Sequence, residues 1–333
     1  MTASTLFRTE RQRQRGAALL AAMLTVMLVA TFSAAALWQQ WRASEVEAAE
    51  RGRVQAAWVL IGALDWSRLI LREDALTGGP DHLAEPWAVP LAEARLTSFL
   101  SAEKNVASDN LEGLPDAFLS GRIVDAQSKL NVLSLVDGNK PVPASVATFD
   151  KLFKILGLPT SELSAMTASL LHALATGTDA ANGGDAGAAP LMPQEVSQLV
   201  WLGLSPSTAA ALEPYVTILP IRTPLNINTA SAEAISASLP SLSISDARQL
   251  VEKRTRSYFK QIADANATLP NVGSQFNAGQ HSVGTQFFEV YGRLRLDRTW
   301  VEERSLLQRD GVTVKTIWRN RGAGLATATP AKP

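Results

Sequence analysis

From Ala17 to Trp41 the chain carries no acidic or basic side chain, and Arg8, Arg11, Arg13 and Arg15 stand just before that run. As a helix, the apolar part from Ala17 to Trp38 is about 33 Å long, enough to cross the hydrocarbon core of a bilayer. The arginine head holds the N-terminus on the cytoplasmic side, so everything after Trp41 has to fold on the far side of a membrane. The run is longer than the roughly 7–15 residues of a secretory signal core. Its nearest small-residue cleavage site, Ala34-Ala35-Ala36, leads into further helical sequence through Ala43–Glu50 rather than into a new domain start.

At 333 residues the chain has room for about two domains beyond this anchor. Its net charge is zero, so no global field draws it to nucleic acid or to an anionic surface. There is no cysteine, which removes disulfides and thiolate metal sites. The only histidines, His82, His172 and His281, are far apart in sequence. No phosphate-cradling glycine loop follows a strand, and no nucleophile stands at a triad spacing. The chain therefore reads as a non-enzyme. Asp179, Asn182 and Asp185 lie in the one acidic, glycine-containing loop that suits calcium. That loop has few carboxylates and lacks the spaced ligands of an EF-hand, so no cofactor is assigned and calcium stays a candidate.

Helical spacing continues past the anchor. Val54, Trp58, Ile61 and Leu64 form a stripe that excludes Glu45, Glu47, Glu50, Arg51 and Arg53. The pattern predicts one long helix over Ala17–Arg72, greasy first and amphipathic afterwards, with Gly52 and Gly62 as points where it can bend. After Gly78-Gly79-Pro80, Ile123, Val124, Leu130 and Val132 suggest two short strands or a strand and turn. Asp125 and Asn131 read as turn formers bonding local backbone. The stretch from about Ser145 to Ala267 is helical in pattern, with helices expected around Phe149–Leu156, Met166–Leu174, Val196–Leu202 and Ser207–Tyr215. Thr176–Pro193 is a small-residue linker within it.

Leu225-Asn-Ile-Asn-Thr-Ala-Ser231 then leads into a pair of helices joined by Pro240-Ser-Leu-Ser243, a helix-hairpin-helix-like unit. Thr229 or Ser231 is placed to cap the first helix, and Ser243 with Asp246 has capping-box spacing at the second. DNA-binding versions use glycines that let the hairpin backbone approach phosphates, and here Ser241 and Ser243 stand in those places. Nucleic-acid binding is therefore not expected. Phe287–Leu296, Thr299–Arg309 and Val312–Trp318 alternate as strands, the last two flanking the hairpin signal Asp310-Gly311. Together with the strand near Ile123 they predict one antiparallel sheet on the long helix. The fold class is α+β, with the all-α block inserted.

Gly16 stands between the last arginine and the first apolar residue. This arrangement resembles the leader of type IV prepilins and type II secretion pseudopilins, where a prepilin peptidase cuts after that glycine and methylates the new N-terminus. The resemblance implies cleavage between Gly16 and Ala17 and methylation of Ala17. Most members carry glutamate at the fifth mature position, where this chain has Ala21. A terminal amine in low dielectric needs an acid partner, and within such fibres that glutamate serves the subunit above. Ala21 therefore marks a subunit with none above it. Gly121-x-Ile-x-Asp-x-Gln-x-x-x-Asn131 resembles the segment that follows the spine in the protein K family of type II secretion pseudopilins, and the order of the remaining parts is also similar to that family.

The resemblance implies a leader at 1–16 and a transmembrane half-helix at 17–41. A pseudopilin domain then comprises 42–140 and 273–320, interrupted by a helical insertion at 141–272, and 321–333 form a disordered tail. It implies a single-pass inner-membrane protein, cytoplasmic at its N-terminus and periplasmic in bulk, acting as a non-enzymatic minor pseudopilin at the tip of the fibre. The implied partners are other minor pseudopilins, the prepilin peptidase and the inner-membrane platform, with the outer-membrane secretin or exported substrate at the insertion. Two alternatives stay open: a membrane-anchored DNA-binding or DNA-uptake protein, and a minor type IV pilin. The leader reading is checked by Gly16→Ala, which is expected to migrate unprocessed in cells with an active prepilin peptidase. Normal processing of that variant overturns it.

Overall fold

The computed structural model describes residues 6–97, 117–179, 190–269, 273, 275–296 and 299–323, with backbone alone at 6–16, 175–179, 299 and 323. Of the loop considered for calcium, Asn182 and Asp185 lie outside the described residues, and so do the terminal residues 324–333. The chain divides into two compact units, Met1–Trp58 and Val59–Pro333.

Helix α1 runs unbroken from Leu6 to Thr77, past the expected end at Arg72 and through both Gly52 and Gly62. From Ala17 on it is long and apolar enough to cross a membrane. It stops where Gly78 and Gly79 adopt φ of +66° and +119°, a left-handed exit that glycine makes without a steric penalty, with Pro80 next.

Five strands, β1 (Leu91–Arg95), β2 (Ala117–Asp125), β3 (Phe287–Leu296), β4 (Thr299–Asp310) and β5 (Thr313–Ala323), form one sheet in that order, every neighbour antiparallel. Asp310 pairs with Thr313 across the tight turn that holds Gly311 at φ +55°. The expected strand near Ile123 and the three terminal strands are all present. Strand β1 is an addition: Leu-Ala-Glu-Ala-Arg is sequence of high helix propensity, drawn into the sheet by pairing with β2 at a shifted register.

Within the second unit, one sheet face packs on the end of α1. Leu64 and Leu71 meet Ile123, Phe288, Val290, Leu307 and Val314, with Trp87 closing the edge. The opposite face carries Phe287 and Leu306 against Ala126 and Leu219. Consecutive phenylalanines thus serve two cores, as the alternation of a strand with both faces covered requires. Gly121 and Gly292 face each other across β2 and β3. A Cβ on Gly292 would stand 3.1 Å from the Leu60 side chain, and one on Gly121 2.9 Å from the Tyr291 carbonyl oxygen. Bare backbone lets α1 approach the sheet here.

The helices α2 (Pro143–Leu156), α3 (Thr160–Asp179), α4 (Pro206–Leu212), α5 (Ala232–Ser238), α6 (Ile244–Arg256) and α7 (Ile262–Asn266) share a core that includes Phe149, Leu152, Phe153, Met166, Leu170, Leu199, Leu212 and Leu250. Val196–Leu202 is a 3₁₀ helix rather than an α-helix. It ends at Gly203 with φ +98°, consistent with a short segment that favours the tighter turn. The helix expected through Tyr215 stops at Leu212, because Val216–Thr217 pairs in parallel with Leu130–Asn131. A second parallel pairing joins Leu225–Asn226 to His281–Ser282. Gly121→Ala is expected to lower stability by about 1–3 kcal/mol, because its methyl meets rigid backbone. The measurement is the midpoint of chemical unfolding, and an unchanged midpoint shows that β2 and β3 can part at no cost.

Candidate functional site

Two of the clusters of buried polar side chains in the second unit join segments far apart in the chain. The first lies just beyond α1. Arg309, near the end of β4, forms ion pairs with Asp74 of α1 and with Asp81 of the following loop, and also donates to the Thr285 carbonyl oxygen. Asp81 in turn accepts the Thr285 N–H at 2.7 Å. Glu85 accepts the His82 N–H and the Trp87 indole N–H, both at 2.8 Å. Among the described residues, Asp74, Asp81 and Glu85 are the one set of three acidic or histidine side chains grouped closely enough to hold a metal, their ligand oxygens within 4.8 Å of one another. The Arg309 guanidinium already bridges two of them. Burial raises the Asp81 carboxyl against the pull of Arg309, and burial, helped by the nearby negative charges of Asp74 and Asp81, raises Glu85 to about 7.

The second cluster is centred on Asp125, at the end of β2. Its carboxylate accepts the Gln127 N–H at 2.7 Å, the Asn226 side-chain amide at 2.8 Å and the Thr229 hydroxyl at 2.5 Å. Burial pushes this carboxyl up to about 6 even with those donors in place. Asn226 also donates to the Asp81 carbonyl oxygen, which links the two clusters. Asn131 accepts from the Leu133 and Leu219 N–H groups and donates to the Ile221 carbonyl oxygen. Asp125 and Asn131 do bond local backbone, but that expectation is incomplete. Each also ties to residues about ninety or more positions away.

The Leu225–Ser231 segment supplies much of this network. Asn226 serves Asp125, and Asn228 makes a paired contact with the Phe259 backbone, accepting its N–H and donating to its carbonyl oxygen. Thr229 serves Asp125 and leaves the capping of α5 to Ser231, which accepts the Ala234 N–H. Ser243 accepts the Asp246 N–H at the start of α6, where the spacing put it. Beyond α6, Tyr258 stacks on His82 with ring centroids 3.7 Å apart, so the loop after α1 also touches the helical block. Arg309, Asp81 and Glu85 escaped the sequence reading. The available signal was an arginine on the core-facing parity of a strand, level with Leu307 and Ser305.

The residues proposed for processing are not brought into any cluster. Ala17 and Ala21 are exposed on α1, and Gly16 and Asp179 lie where backbone alone is described. An apolar groove of about 260 Å³ runs between α1 and the β1–β2 edge, lined by Leu60, Ala63, Ile70, Val89, Leu91 and Leu119. Beside it α1 exposes Trp66, Leu69 and Leu76, the last two at 43% and 59%. The clusters are internal staples, whereas this groove and stripe are surface.

Comparisons with known proteins agree on one family. The models for type II secretion system protein K match residues 128–221 and 225–284. The chain is 28% identical to the type II secretion system protein K of Pseudomonas aeruginosa, over 94% of this chain and 95% of that one. It is likewise 28% identical to the protein K of Pectobacterium carotovorum, over 96% and 100%. Among solved structures, the GspK–GspI–GspJ complex of enterotoxigenic Escherichia coli contains a chain of the same fold. The TM-score is 0.61 at 19% identity, covering 83% of this chain and 99% of that one.

The raised carboxyls make stability depend on pH. Asp125 at about 6 and Glu85 at about 7 both hold their protons more tightly folded than unfolded. Their contribution is complete below the ordinary carboxylate range and is lost as pH rises through 6 and 7. Glu85→Gln, a mimic of the protonated acid, is expected to flatten the fall between about pH 5 and 8, by on the order of 1 kcal/mol after solvent screening. Urea midpoints of both proteins across that range test this. Parallel curves exclude Glu85 as a source of the slope.

Proposed function

We propose that this chain, a member of the type II secretion protein K family and so a minor pseudopilin of that system, stands at the tip of the pseudopilus and starts or caps the fibre. The observation that carries the tip position is Ala21, exposed on α1 within a run that has no carboxylate from Ala17 to Trp41. A subunit inside such a fibre needs an acid there to neutralise its neighbour's terminal amine, and a subunit at the end does not. Cleavage after Gly16 and methylation of Ala17 belong to the same reading. The single apolar helix fits anchoring in the inner membrane, and the arginine head sets the N-terminus in the cytoplasm with the bulk of the chain in the periplasm.

The partners in this reading are two other minor pseudopilins, after the company the related GspK keeps in its complex. Trp66, Leu69 and Leu76 on α1, with the groove beside them, are the surface such helices would cover. A stripe of this kind leaves apolar area in water until a partner helix buries it. The block of helices α2–α7 is then free to face the secretin or the exported protein.

The full chain in detergent is expected to co-purify with two other minor pseudopilins and to show negligible affinity for duplex DNA. Leu69→Glu, at an exposed position that leaves the core intact, is expected to weaken that capture about tenfold or more. Tight DNA binding without pseudopilin capture reverses the assignment, and undiminished capture by Leu69→Glu moves the interface off this stripe.

A further inference from the structure

The charge-free run holds three aromatic residues, Phe32, Trp38 and Trp41, and both tryptophans stand at its far end, next to Arg42. Trp38 and Trp41 are 59% and 55% exposed, with ring centroids 5.3 Å apart and planes tilted by 42°. Positions 38, 41 and 42 are spaced i, i+3 and i+4, so on helix α1 the two rings and the guanidinium share one side within about one turn. Farther along, Arg51 and Arg53 pair with Glu47 and Glu50. Arg42 has Glu45 three positions on, yet among the described residues no carboxylate pairs with it.

An indole is apolar over its faces and polar at its N–H, so its most favourable place is where hydrocarbon meets headgroups. A guanidinium presents a planar fork of donors that matches two phosphate oxygens at once, and its long stem lets it reach outward from an apolar helix. Along the axis the triad runs from ring to ring to cation, as a bilayer runs from hydrocarbon to ester to phosphate. We propose that Trp38, Trp41 and Arg42 form a phospholipid-headgroup site on one side of α1, with the indoles at the ester level and Arg42 on the phosphodiester. On the reading of the apolar run as a bilayer span, on which this site rests, the triad fixes the depth and the rotation of the helix. A charge-free run without such a site slides along the membrane normal at small cost per ångström.

The protein has no cysteine, so a single nitroxide can be placed at a chosen position. The test uses the full chain in vesicles of phosphatidylethanolamine and phosphatidylglycerol, labelled at Gln40→Cys, which lies on the other side of the helix from the triad. Collisions of the label with a water-soluble nickel chelate, present on both sides of the vesicle, report its depth. Arg42→Gln is expected to lower those collisions about fivefold, the weight of one cation at an anionic leaflet, and Arg42→Lys to lower them less. Replacing both rings, Trp38→Leu with Trp41→Leu, is expected to lower them further as the label sinks into hydrocarbon. These positions are all exposed on α1, so the core of the second unit is left as it is. Equal collisions in all of these proteins overturn the headgroup site and leave the span standing. A change seen only when other minor pseudopilins are present makes the pair a helix–helix contact, which overturns the site too. A label at Ala30→Cys keeps the two readings apart: it is expected to be shielded from the chelate in every variant, and free collision there overturns the span itself.

Discussion

The whole second unit depends on burying carboxylates that have few other reasons to be inside. Asp125 is almost wholly removed from water, and its oxygens are taken by Gln127, Asn226 and Thr229. A buried charge is tolerated only when such donors surround it, and any donor withdrawn leaves an unmatched polar group in a low dielectric. The requirement runs both ways. Because Asn226 and Thr229 must meet Asp125, the Leu225–Ser231 segment is fixed against the end of β2, although a hundred residues of chain separate them. Arg309 imposes a like condition on the end of α1 by joining Asp74 to Asp81.

Hydrophobic burial supplies most of the stability, and the polar staples supply the alignment. The sheet is covered on both faces, by α1 on one and by the edge of the helical block on the other. Apolar contact alone tolerates sliding, since one aliphatic side chain packs nearly as well as the next. Hydrogen bonds with fixed geometry do not. The parallel pairings of Leu130–Asn131 with Val216–Thr217, and of Leu225–Asn226 with His281–Ser282, sit beside Asn131 and Asn226, whose side chains pin the register.

Much of this was legible in the residues. The apolar run, the terminal strands and the turn at Gly311 follow from local patterns: a charge-free stretch, an alternation and a turn dipeptide. The long helix instead runs on to Thr77, and of the stripe expected along it Leu64 is buried while Val54 and Trp58 are exposed. The caps at Ser231 and Ser243 were legible for the same reason, since each acts within four residues. Strand β1 was not, because Leu-Ala-Glu-Ala-Arg favours helix in isolation and is extended only by its neighbour β2. The 3₁₀ form of Val196–Leu202 was hidden too, since apolar spacing in so short a segment suits either helix. Asp125 and Asn131 were read half correctly: the local bonds exist, but the distant ones give them their weight.

The sequence by itself determined that this chain carries, near its N-terminus, a helix long and apolar enough to cross a membrane, and that the rest mixes a sheet with a helical block. Those conclusions rest on near neighbours along the chain, where spacing translates directly into faces and turns. The tertiary structure alone decided which polar residues became staples, and that Arg309 spans two acids. In each case the partners lie tens to hundreds of residues apart, and the free energy of the pairing depends on burial. Burial belongs to the assembled fold and to no segment of it.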